Sequence, residues 1–181
     1  MKIRLALVLM VIAALTRLLP HPPNFTPLGA IGLFGAAYLE RRWLALAVPF
    51  ATLFLTDLFI NNVLYSAFYP SFTWITSWWT YAAFATIIAA GWIFLRGKVA
   101  PLRIAGASLT ASTLFFLITN TGTWVESGLY PPTFSGLLTC YAAGIPFFGN
   151  TVMGDLFFSM ALFGGYAWVL RQQKAELHTG I

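Results

Sequence analysis

Charge is what this chain has least of. Charged side chains make up 8% of its 181 residues, and only five are acidic. A soluble domain carries about 25%, so a chain that is 59% hydrophobic and this poor in charge is not a soluble globular domain. The net charge of +5 does not point to nucleic acid, because the basic residues fall in short clusters at the ends of apolar runs. A single cysteine excludes an intramolecular disulfide and any multi-cysteine metal site. Also missing are a nucleotide-binding loop, paired catalytic carboxylates and a Ser-His-Asp arrangement. The chain is therefore read as no enzyme, and as unable to hydrolyse ATP.

What the chain has is hydrophobic length. Apolar segments recur at residues 5–19, 27–39, 43–60, 74–95, 102–119 and 151–170. Backbone amides in lipid must be paired internally, so each is read as a helix. The expected fold is an all-α integral membrane protein, a single transmembrane domain over 1–181 with six crossings. The second segment is short against the ~20 residues that span a bilayer. It crosses if its helix extends back through HPPNFTP or the bilayer thins. The first ends in Arg17, Leu18, Leu19 and Pro20, with no small-x-small cleavage site, and reads as a retained helix.

Basic residues orient the bundle. Lys2, Arg4, Arg41, Arg42, Arg96, Lys98, Arg103, Arg171 and Lys174 fall on one side of six crossings, leaving Arg17 near the other. The positive-inside rule makes that side cytoplasmic and puts both termini there. Residues 134–143 are expected to form a short outer helix between helices five and six, lying along the surface or re-entrant, with Pro146 and Gly149 turning the corner into helix six. The long loops 20–26, 61–73 and 120–150 then all face outward, and function is expected on that face. Gly29, Gly32, Gly35 and Ala36 are expected to let helices pack closely within the monomer.

The stretch from Thr119 to Asp155 holds the lone Cys140 and two of the five acids, Glu126 and Asp155. Asp155 is expected near the outer start of helix six, beneath the loop and part of a binding site. Asp57 near the outer end of helix three is solvated or caps the helix, or faces a cavity as part of the site, or pairs with Arg17 at the same depth as a structural partner. His21 and Asn24 sit among prolines 20, 22, 23 and 27, which stiffen their loop. Trp43, Trp92 and Trp168 read as an inner aromatic belt. Tyr69, Trp124, Tyr130 and Tyr141 are candidates for an aromatic ligand site, with Asn120, Asn150 and Thr151 as polar contacts. Cys140 has two readings, a small packing residue or a soft-metal ligand.

The segments RLLPHPPNFTPLGAIGLFGAAYL, TNTGTW, YPPTFSGLLTCYAAGIPFFGNT and GD resemble an uncharacterised family of small bacterial integral membrane proteins. The six-helix plan is similar to the substrate-binding S-components of energy-coupling-factor vitamin transporters. That resemblance implies the bacterial inner membrane, lipid surroundings, a small-molecule ligand such as a vitamin, and an energising transporter module as partner. Helix one departs from it, because Ala6, Ala13 and Ala14 do not make the small-xxx-small face on which many S-components dock. Some solitary S-components take up vitamin B12 with a cysteine on cobalt. The analogy makes Cys140 the candidate cobalt ligand and cobalamin a candidate transported ligand, with no resident cofactor. The competing reading is a structural or assembly subunit of a larger membrane complex.

Overall fold

The computed structural model describes residues 2–69 and 71–179, with side chains described through Glu176. Six α-helices follow one another: α1 Lys2–Thr16, α2 Leu28–Tyr38, α3 Arg42–Phe59, α4 Trp78–Leu95, α5 Pro101–Glu126 and α6 Phe134–Thr179. A π-helical turn, Ile60–Leu64, prolongs α3, and a 3-10 turn covers Ser66–Phe68. Among the described residues there is no strand. Four helices, Arg42–Leu64, Trp78–Leu95, Pro101–Glu126 and Phe134–Glu176, are long and apolar enough to cross a membrane.

The short segment sits at the centre. Every residue of α2 from Leu28 to Ala36 is buried, because no charge or amide breaks the run and small residues let neighbours close in. A Cβ at Gly91 of α4 would come within 2.7 Å of Ala36 Cβ. Gly32 packs on Ile87 and Ile88, and Gly35 on Met10. Phe34 makes edge-on contacts with Phe163 and Tyr166 of α6 at 5.1 and 5.5 Å. The small residues of α2 thus pack inside the monomer.

HPPNFTP does not extend α2. Its three prolines keep it out of helix, and Asn24 adopts φ 63°, a left-handed conformation that asparagine tolerates. At eleven residues, α2 is about 16 Å long, half a bilayer core. The segment before it runs along α6 as irregular chain. Asn150 Nδ2 donates to Pro23 O at 3.0 Å, Phe25 packs on Phe157 and Phe158, and a Cβ at Gly154 would lie 3.1 Å from Thr26 N.

The expected loop 120–150 is mostly helix. Residues up to Glu126 belong to α5, those from Phe134 belong to α6, and only 127–133 connect them. No separate short outer helix exists, and Pro146 turns no corner: it lies within α6. The reason is the long antiparallel seam between α5 and α6. Thr121 meets Tyr141 at 2.8 Å, Phe116 meets Phe148 with ring centroids 4.9 Å apart, and Ser108 Oγ donates to Ser159 Oγ at 2.9 Å. Contacts on both sides of the proline hold the helix together across the backbone bond it loses. Asp155 is correspondingly displaced from the expected position. It lies 21 residues into α6, opposite Ser112 at the middle of α5.

Candidate functional site

Polar residues at helix ends and within helices converge on one recess inside the apolar bundle, about 180 Å³ in volume. Its first wall is an ion pair. Arg17, just past α1, places Nη2 2.6 Å from Asp57 Oδ1, and its Nη1 donates to Thr56 Oγ1. The Asp57 side chain is 4% exposed and that of Arg17 14%, so the two charges hold each other in a largely dry place. This is the pairing that their shared depth predicts.

Asp155 forms the opposite wall. It is 3% exposed and accepts a 2.6 Å bond at Oδ2 from Ser112 Oγ. Its Oδ1 presses on Gly29, where any Cβ would collide with the carboxylate. Gly29 stands in the first turn of α2, whose N-cap Pro27 supplies no side-chain acceptor. The first amides of a helix have no partner within it and carry a partial positive charge, so a carboxylate at this point is electrostatically favoured. Glycine admits that approach and the proline-rich segment delivers the helix start to the site.

Asn24, Thr26, Thr76, Thr80 and Thr151 supply further polar groups around the recess, and Phe84, Ile87 and Phe115 its apolar floor. A second recess of about 240 Å³ shares Asn24, Thr80, Phe115 and Thr151 with the first and continues toward Asn120, Thr123 and Gly144. The two make a stepped chamber running from the charged residues to the upper α5–α6 seam. Hydroxyls, an amide and three ionisable groups offer hydrogen bonds of both senses to a small solute. Among the described residues no cluster of three His, Cys, Asp or Glu is placed to hold a metal ion.

Of the residues singled out from sequence, the chamber brings together Asn24 and Asp155, along with the secondary candidates Thr151 and Asn120. Asn150 lies beside it, tethering the Pro23 carbonyl. His21 is exposed, its ring nitrogens 2.9 Å from Pro22 O and 3.3 Å from Arg17 O. Tyr69 borders a separate small recess with Asn61 and Asn62. Trp124 donates from Nε1 to Pro131 O at 2.9 Å, bracing the 127–133 connection, and the half-buried Tyr130 stands in that connection. Tyr141 bonds Thr121 across the seam. Cys140 is 2% exposed, with Sγ 3.3 Å from Asn120 O, packed against α5 and outside the chamber lining.

Gly29, Ser112, Thr76 and Thr80 were missed. Ser112 looks like any helix hydroxyl in sequence. Its register against Asp155 follows from the α5–α6 pairing, which a sequence read with a corner at Pro146 does not contain. A glycine at the start of an apolar run, just after a proline cluster, was a usable signal for Gly29.

No curated protein and no solved structure matches the chain. The model of a family of unknown function, DUF6580, matches residues 1–177, and the chain belongs to that family.

Proposed function

We propose that this protein binds a small polar solute in the chamber between Arg17–Asp57 and Asp155 and serves its uptake across the inner membrane of a bacterium. In this reading all six helices count as crossings, both termini are cytoplasmic, and the chamber opens outward, on the plan of an S-component. One observation carries the proposal: three ionisable side chains, an amide and several hydroxyls surround a single recess inside an apolar helical bundle. A charge at the middle of a membrane helix costs about 2.5–3.5 kcal/mol, and such residues usually mark a solute or ion path. Irregular chain at that depth is tolerated where it lines a cavity, which is where Asn24 and Thr26 lie. A half-length helix starting at the site is a recurrent device of membrane transporters.

Size limits the solute. Pockets for drug-sized ligands run to about 300–1,000 Å³, and the two recesses of the chamber, about 180 and 240 Å³, together reach only the low end of that range. That supports a small hydrophilic nutrient over a corrin, and the packed position of Cys140 supports the same choice.

The test is mass spectrometry of small molecules released from protein purified in mild detergent. The expected result is one polar solute at a fixed ratio to protein. A protein partner in fixed ratio, with no solute, would overturn the proposal in favour of an assembly subunit.

A further inference from the structure

The opposite end of the bundle carries a feature the chamber does not use. A groove of about 920 Å³ runs between α1, the end of α2 and α6. Lys2, Arg171 and Lys174 line it, against a single acid, Glu40. Among the described residues, none of these three cations has a salt bridge to another described side chain. Arg171 and Tyr38 also border a second groove of about 630 Å³ between α5 and α6. Its walls are apolar: Ile104, Met160, Phe163 and Ala167. Gly164 lies in that wall, and a Cβ there would meet open space. The trough lies along two helices long enough to cross a membrane, and Met160 within it is 69% exposed.

We propose that the two grooves form one binding site for an anionic phospholipid. The phosphate lies among Lys2, Arg171 and Lys174, and one acyl chain follows the trough past Gly164. Charge complementarity selects the occupant: basic residues beside a membrane helix favour anionic lipid by roughly 1 kcal/mol each. The groove is far larger than a phosphate ion needs, and its continuation is hydrocarbon-like, which favours a lipid over a free anion. The missing side chain at Gly164 leaves room in a wall otherwise built of larger residues.

The test is native mass spectrometry of the purified protein titrated with phosphatidylglycerol or with phosphatidylcholine of the same chains. Wild type is expected to retain phosphatidylglycerol preferentially. Arg171→Gln with Lys174→Gln removes two charges and is expected to weaken phosphatidylglycerol about thirtyfold, and phosphatidylcholine, whose choline offsets its phosphate, much less. Gly164→Leu fills the trough and should weaken both lipids with the headgroup charges intact. Leucine is the better helix former, so folding is preserved. Arg96→Gln with Lys98→Gln, outside both grooves, should change neither. Equal retention of the two lipids by wild type, or an equal loss from the Arg96/Lys98 variant, would overturn the site. So would no effect of Gly164→Leu, or displacement of the lipid by inorganic phosphate at equal concentration.

Discussion

Asp155 and Gly29 define each other. The carboxylate occupies the space a side chain at position 29 would need, and the start of α2 offers it positive partial charge. Gly29→Ala should therefore destabilise by about 1–3 kcal/mol, the usual cost of overpacking. Adding Asp155→Ala should relieve part of that loss, giving a coupling energy of about 0.5–3 kcal/mol in thermal melts of the four proteins. Strict additivity would mean the two residues do not touch. Arg17→Met should cost about 3 kcal/mol, because it leaves Asp57 buried and unpaired. The pair Arg17→Met/Asp57→Leu should recover most of it. Arg17 and Asp57 were legible as partners because few acids and bases share one depth in so apolar a chain. Cys140 had two readings from sequence, packing residue or soft-metal ligand, and its burial against Asn120 O fits the first.

At the scale of elements, hydropathy located all six helices, because a lipid-facing or buried helix must be apolar along its length. It misjudged their ends. Residues 120–126 and 144–150 read as loop and 134–143 as a separate short helix, yet all continue α5 or α6, because the two helices hold each other along the seam. The length of α2 was legible, but its meaning was not. The short segment is here a half-helix, preceded by irregular chain, that delivers its start to Asp155. The continuity of α6 can be tested by cross-linking. In a Cys140→Ser background, Phe116→Cys with Phe148→Cys should be joined by a short bifunctional thiol cross-linker, since the two side chains meet across the seam with ring centroids 4.9 Å apart. Failure to link, with a folded protein, would put the corner back at Pro146.

For the whole molecule, two regions with different chemistry emerge. One is basic, with large grooves; the polar chamber has a separate lining, away from it. The charge pattern predicts their orientation: reporter fusions after Arg42, Lys98 and Lys174 should score cytoplasmic and one after Ser127 external. An external score at Lys174 would contradict six crossings. The central claim is that the chamber holds a small polar solute, and filling it is the most direct test. Thr80→Leu with Thr151→Leu replaces two lining hydroxyls by larger apolar groups without touching the Arg17–Asp57 pair or the Ser112–Asp155 bond. Solute released per mole of folded protein, measured by quantitative mass spectrometry, should fall from a fixed ratio in wild type to a small residue in the variant. An unchanged ratio would place the solute elsewhere and contradict the account.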